Sequence, residues 1–334
     1  MGFHGVGMKT IKDEIALGSW IGRAWSIAGY AVLAFVLLAP QGVLADANHR
    51  TQGSSRAGEA TGTRPAVAAP NFRFGLYYDY RDVDSTETSF FDQGESTLRI
   101  PSHDSHEGRA QLVGTLPLIG PLGARVEGHA RYGHTNRSLD GLGRGNDEVT
   151  TLGVLGEVFL RDPDLGSFAV GAGYDRYLGS GSLAADEYSG TVSAGLFFPD
   201  LGSGPIDWMA HFRFGHRKVS GTTGTADVDA DRYTVRGSVG WYFSDDFQMA
   251  LGAEWDRDEE EFSTEEDLEG FIQFRWRLPV KLPLEFSVGG SAGISEYKQS
   301  PFRSDHRFVY GMNAGLVFRF GSGKTLIESI RGYD

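Results

Sequence analysis

Residues 308–320 read Phe-Val-Tyr-Gly-Met-Asn-Ala-Gly-Leu-Val-Phe-Arg-Phe, and every second one is apolar or aromatic. Phe308, Tyr310, Met312, Ala314, Leu316, Phe318 and Phe320 alternate with Val309, Gly311, Asn313, Gly315, Val317 and Arg319. A period of two puts the two sets on opposite faces of one β-strand. Soluble strands are mostly about 5–6 residues long, and a longer exposed strand this apolar invites aggregation. A closed barrel with lipid outside and a polar lumen inside removes that hazard. The fold therefore turns on whether the rest of the chain repeats the pattern.

It does, from Phe72 onward. Phe72, Phe74, Leu76, Tyr78 and Tyr80 alternate with Arg73, Gly75, Asp79 and Arg81. Further on, Trp208, Ala210, Phe212 and Phe214 oppose Asp207, His211, Arg213 and Gly215. Tyr233, Val235, Val239, Trp241 and Phe243 oppose Arg232, Thr234, Arg236 and Ser238. The pattern predicts twelve strands, over 72–81, 108–118, 123–133, 148–161, 167–178, 187–198, 206–217, 231–243, 247–256, 268–278, 283–296 and 307–320. Single-chain bacterial barrels have an even number of strands. The expected fold class is therefore all-β, a transmembrane antiparallel up-and-down barrel of about twelve strands.

The connections agree. Pro121, Pro163-Asp164, Pro199 to Pro205, Ser244-Asp245-Asp246 and Pro279 to Pro283 mark tight turns. They alternate with longer segments around 82–107, 134–147, 179–186, 218–230, 257–267 and 297–306. Short turns belong on the periplasmic side and long loops outside, so both termini are expected in the periplasm. Aromatics fall at both strand ends: Tyr80, Tyr174, Tyr188, Tyr233 and Tyr310 at one, Phe168, Phe198, Trp208, Phe243 and Trp276 at the other. Two such girdles flanking an apolar band anchor a barrel at the two interfaces.

The first 45 residues read as an export signal. Lys9, Lys12 and Arg23 precede an apolar run from Ile27 to Ala39, followed by Pro40 and Val43-Leu44-Ala45. Small residues three and one before a cut suit cleavage after Ala45, and the run is short of the about 20 residues a spanning helix needs. Residues 46–71, rich in Ala, Gly, Ser and Thr, read as a flexible periplasmic lead-in, the barrel as 72–320, and 321–334 as a periplasmic tail. Cysteine is absent, which excludes a disulfide framework and thiolate chemistry. The net charge of −13 argues against nucleic acid as a partner.

On these features the chain resembles bacterial outer-membrane β-barrel proteins of the porin-like kind. Asn313-x-Gly315-x-x-Phe318-x-Phe320 looks like the family's assembly signal. The resemblance implies recognition by the barrel-assembly machinery and a setting of outer-membrane lipid and lipopolysaccharide in a Gram-negative bacterium. The chain departs from the usual form because residues 321–334 follow the closing strand.

Function must come from the inward face. Arg73, Arg125, Arg161, Arg277 and Arg319 fall inward near the periplasmic mouth. Glu127, Glu157, Arg275 and Glu285 lie one step deeper, and His211, Arg213, Arg236 and Glu254 near mid-height. These residues make either a charged constriction that sorts solutes or an ion-pair network that plugs the lumen. Two walls of small residues, Ala169, Gly171, Gly173 and Ser287, Gly289, Ser291, Gly293, Ser295, lie opposite each other and favour open space. The competing reading is that their glycines relieve crowding beside bulky neighbours such as Phe159. The acidic run Asp256 to Asp267 suits solvated loop surface and lacks the spacing of a cation loop, so no metal or cofactor is expected. His103-Asp104-Ser105-His106 is the best hydrolase candidate, and it sits in no hydrolase motif. The expectation is a narrow passive channel for small hydrophilic solutes, anions among them, rather than an enzyme. A structural or surface-interaction barrel with a plugged lumen is the alternative, and an outer-membrane hydrolase a distant one.

Overall fold

The computed structural model describes residues 66–67, 69–84, 86–90, 96–100, 102–139, 143–179, 184–198, 204–220, 228–260, 263–279, 283–299, 305–321 and 325–333. The expected export signal and most of the expected lead-in lie outside these residues. Twelve strands form one closed antiparallel barrel: β1 (Asn71–Val83), β4 (Ser102–Pro117), β5 (Leu122–Leu139), β6 (Gly143–Asp162), β7 (Gly166–Gly179), β8 (Ala184–Phe198), β9 (Ile206–Ser220), β10 (Val228–Ser244), β11 (Phe247–Glu260), β12 (Ser263–Arg277), β13 (Leu284–Gln299) and β14 (Asp305–Phe320). Each strand pairs with its neighbours in sequence, save that a small hairpin of β2 (Thr86–Phe90) and β3 (Ser96–Ile100) intervenes between β1 and β4.

The closing strand behaves as its alternation predicts. β14 pairs with β1 from Phe72↔Phe320 to Val83↔Val309, so neither strand is left as an edge. Its outward aromatics stack on those of β1, with Phe72–Phe320 ring centroids 4.6 Å apart and Phe74–Phe318 6.5 Å apart. Outward aromatics also meet across other seams, as in Tyr174–Tyr188 and Phe214–Tyr233 at 5.3 Å each. Exposed large apolar side chains such as Val126, Val154, Phe168, Leu196, Phe308 and Met312 sit on this outer face. A contiguous apolar band of this extent needs lipid around it.

All twelve expected strands are present; at the short-turn end the bounds differ by at most one residue, and the larger differences lie at the long-loop end. β5 runs to Leu139, β6 starts at Gly143, β11 reaches Glu260 and β12 starts at Ser263. Beyond the lipid both faces of a strand meet water, so alternation fades although the backbone ladder continues. There the acidic run is tied to arginines: Arg257–Glu266 at 2.9 Å, Arg217–Asp258 at 2.9 Å, Arg307–Glu265 at 2.9 Å and Arg81–Asp267 at 2.6 Å. At the other end the turns are tight. Asp162 Oδ1 accepts from the N–H groups of Asp164 (2.8 Å) and Leu165 (3.2 Å), an Asx-turn that reverses the chain into β7.

The two small-residue walls, on β7 and β13, do lie opposite each other in the ring. Their glycines, however, make room for neighbours. A Cβ on Gly171 would lie 2.6 Å from Glu157 Cγ and 2.7 Å from Thr191 Oγ1, and one on Gly289 3.0 Å from Asn313 Oδ1. These contacts favour crowding relief over open space as the reason for the glycines.

Candidate functional site

The lumen differs sharply between its mid-height and its short-turn end. On β9 the inward Met209 is 41% exposed, whereas Asp207, two residues nearer the short turns, is 2% exposed. On β10 the Arg236 side chain is 44% exposed, and Tyr242 further down the same face is 2% exposed. β11 repeats the step from half-buried Glu254 to buried Gln248. Three adjacent strands thus lose water at one level, so something covers the lumen there.

Segments that flank the barrel on either side, 66–67 and 325–333, cover it. After β14, Gly321 takes φ +75°, a left-handed conformation that glycine adopts without strain, and a Cβ there would lie 3.0 Å from the carbonyl oxygen of Pro70. Residues 325–333 then form a short helical turn, Leu326–Glu328, that widens into a π-type turn over Ser329–Tyr333. Thr325 caps it, its Oγ1 accepting from the Glu328 N–H at 3.2 Å. Leu326 donates its N–H to Asp246 Oδ1 (3.1 Å), and Arg277 Nη1 donates to the Thr325 carbonyl (3.1 Å) and Ser329 Oγ (2.9 Å). Arg331 then reaches Asp207, with Nη2 2.6 Å from Oδ1. Because β14 and β9 stand nearly opposite in the ring, this segment crosses the mouth. On the other side, Ala66 donates its N–H to the Gly120 carbonyl at 2.8 Å. Ala66 and Val67 are fully buried in a small apolar cluster with Phe159 and Ala169.

The arginine at the end of this segment is held from every direction. Its Nε donates to Asp207 Oδ1 at 2.8 Å, and its Nη2 donates to the carbonyls of Phe198 and Ile206 at 3.1 Å each. The guanidinium carbon stands 5.4 Å from the Phe197 ring centroid and 5.7 Å from that of Tyr242. Tyr242 in turn donates its hydroxyl to Asp207 Oδ2 at 2.6 Å. A carboxylate, two carbonyls and two aromatic rings around one planar cation are a complete guanidinium receptor.

The sequence-predicted lumen residues sort by height. At the closed end Arg319 pairs with Glu285 at 2.6 Å, and Arg125 with Glu157 at 3.4 Å. Arg161 is 6% exposed, lies over the Phe159 ring at 4.9 Å, and has no hydrogen-bond partner on Nε or Nη1. Arg73 is inward on β1, opposite Val113 and Arg319 in register. Arg275 donates to Gln273 at 3.1 Å, and Arg277 holds the C-terminal segment as described. Higher up, Glu127 lies 3.4 Å from His129, and His211 meets Ser193 at 2.8 Å. Arg213 bridges Asp175 (2.5 Å) and Glu187 (2.7 Å), and Arg236 meets Glu254 at 3.0 Å. At this end the inward strand arginines Arg73, Arg125, Arg161, Arg275, Arg277 and Arg319 outnumber the carboxylates Glu157, Asp207 and Glu285, with Asp246 beside the C-terminal segment adding one more. That leaves an excess of positive charge.

The residues that sequence reasoning missed are the partners: Asp175, Glu187, Tyr242 and Arg331. The first three are visible only as inward positions on their strands, and Arg331 lies in a segment with no period at all. In the assembly-signal motif, Asn313 and Gly315 face inward, while Phe318 and Phe320 face out. In the His103–His106 stretch, His106 bonds the Tyr78 hydroxyl at 2.7 Å and lies 3.3 Å from Asp104. Strand alternation puts Ser105 on the opposite face from both. Among the described residues no group of three or more metal-ligating side chains is gathered in one place.

No family model and no curated protein matches the sequence. Solved structures match the fold. An outer membrane channel from Pseudomonas putida aligns with a TM-score of 0.51 at 12% identity, over 79% of this chain and all of that one. The translocator domain of the autotransporter NalP from Neisseria meningitidis aligns at 0.47 and 12% identity, over 88% of this chain and 98% of that one. The KdgM porin aligns at 0.33 and 12% identity, over 72% and 98%. The chain is a closed twelve-stranded antiparallel β-barrel of the outer-membrane type.

Proposed function

We propose that this protein is a narrow passive channel for small hydrophilic solutes in the outer membrane of a Gram-negative bacterium. Both termini are periplasmic in this reading, because short turns face that side in such barrels. The observation that carries it is water-accessible lumen at mid-height: inward Met209 and Arg236 are each more than two-fifths exposed inside a closed barrel. A preference for anions follows from the excess of arginine over carboxylate at the narrow end, since rings of fixed charge set pore selectivity. The resemblance of fold to an outer membrane channel is compatible with this reading. Assembly would proceed through the barrel-assembly machinery, with lipid and lipopolysaccharide around the finished barrel.

A structural barrel with a plugged lumen is the second reading. The bridge from Arg213 to Asp175 and Glu187 favours it, since that bridge fills the β7–β9 wall with paired charge. Planar-bilayer recording separates the two. The channel reading expects discrete conductance steps and, under a salt gradient, a reversal potential of the sign set by anion flow. Silence in every salt, with the mouth opened as described below, would leave the structural reading standing.

A further inference from the structure

We infer that the pocket formed by Asp207, Tyr242 and Phe197 is a guanidinium-binding site whose ligand is the chain's own Arg331, and that this contact latches a displaceable plug across the short-turn mouth. Four features carry the inference. The segment is held by side chains and turn residues: Arg331 at its end, Arg277, Asp245 and Asp246 near its start, and the burial of Leu326 and Ser329 between them. Its backbone joins no strand of the barrel, so releasing it breaks no β-ladder. It leaves β14 through Gly321, whose φ of +75° redirects the chain toward the mouth. Finally, Asp207 and Tyr242 are buried where Arg331 meets them, although their strand faces are wet at Met209, two residues from Asp207, and at Arg236, six residues from Tyr242. A carboxylate at the wall of a lumen is well hydrated when nothing covers it, so removing the cover costs the barrel little.

The latch is electrostatic and directional. The guanidinium donates to a carboxylate already fixed by the Tyr242 hydroxyl, and its remaining donors find the two carbonyls at the β8–β9 ends. Planar fork geometry of this kind discriminates arginine from lysine. The site therefore accepts guanidinium groups as a class. The latch stands apart from solute passage: it concerns whether the segment covers the mouth, and the channel reading concerns what crosses when it does not.

The chain has no cysteine, so a single introduced thiol reports on the plug without a background. Gln248→Cys places the probe at the buried inward position paired with Tyr242, whose ring lies against Arg331. Its rate of modification by a water-soluble maleimide is compared in the otherwise unchanged full chain and with Arg331→Ala added. Loss of one partner of a buried charged pair is expected to raise the rate by about thirtyfold. Arg331→Lys should recover only part of the protection. Adding the synthetic peptide of residues 322–334 to Arg331→Ala protein should slow labelling again, and the same peptide with Ala at the arginine position should not. An unchanged rate in Arg331→Ala, in barrels that keep their heat-modifiable migration on gels, overturns the latch whatever the conductance does. Equal rescue by both peptides overturns the guanidinium assignment as well. Faster labelling with no gain in conductance upholds the latch and counts against the channel alone.

Discussion

The two halves of the lumen are built from the same strands and differ in what touches them. At mid-height Arg236 and Glu254 make an ion pair that water reaches from the lumen side. At the short-turn end Arg319 and Glu285 make a shorter pair with almost no exposure on either partner. The first pair joins β10 to β11 and the second β13 to β14 nearer the short turns; water screens the first pair and is excluded from the second. An exposed pair is worth about 0–1 kcal/mol, whereas breaking a buried one costs about 3–5 kcal/mol. The covering segments therefore set the energetics of this lumen as much as the barrel does.

The largest effect expected from this difference is on stability. Glu285→Ala removes the carboxylate that Arg319 Nε and Nη2 reach, and should lower the unfolding free energy by about 3–5 kcal/mol. Urea unfolding of the barrel in lipid vesicles, followed by tryptophan fluorescence, measures it. A loss below 1 kcal/mol would mean that the closed end is wet after all. Next in size is access. Met209→Cys and Gln248→Cys, probed with the same reagent in separate proteins, should differ by on the order of a hundredfold in rate, with residue 209 the faster. Equal rates would erase the boundary between the halves.

Arg161 sharpens the comparison from the other direction. It is buried, two of its nitrogens are without partners, and Arg125 and Arg73 lie close enough to repel it. A buried charge so poorly compensated costs stability, so Arg161→Met should raise the unfolding free energy by about 1–2 kcal/mol in the same urea assay. Loss of stability instead would show that the cation–π contact with Phe159 outweighs the desolvation. In bilayer recordings the same variant should lose anion preference, which ties the destabilising charge to solute choice.

How much of this was legible in the sequence follows from what produces a pattern. Where lipid meets one face and water the other, alternation is enforced, and all twelve strands and the inward set from Arg73 to Arg319 could be read from it. Beyond the lipid that constraint lapses. The β2–β3 hairpin and the extended ends of β5, β6, β11 and β12 are held by backbone pairing and by ion pairs between strands, which leave no period. The plug is the extreme case. Thr325 to Arg331 has one capping residue, one buried leucine and one arginine, and each finds its partner more than 45 positions away or within its own turn. Asp207 was visible as an inward residue, but nothing in its own strand names Arg331 as its partner. Glu187 and Asp175 likewise lie on strands whose period was plain, and only the register brings both within reach of Arg213.

The smallest effect is the most exacting test of the contrast. Arg236 and Glu254 are direct neighbours across the β10–β11 ladder, 3.0 Å apart, with Arg236 also lying 4.3 Å from the Phe271 ring centroid. If their half of the lumen is open to water, a double-mutant cycle of Arg236→Gln and Glu254→Gln should give a coupling of about 0.5 kcal/mol, falling as salt is raised. The geometry alone would suggest more, because this pair is closer than Arg125–Glu157 at the closed end. Separation therefore predicts one ranking of the two couplings and hydration predicts the reverse. A cycle on Arg125 and Glu157, run alongside, decides between them: the longer, less exposed pair should show the larger coupling and the weaker dependence on salt.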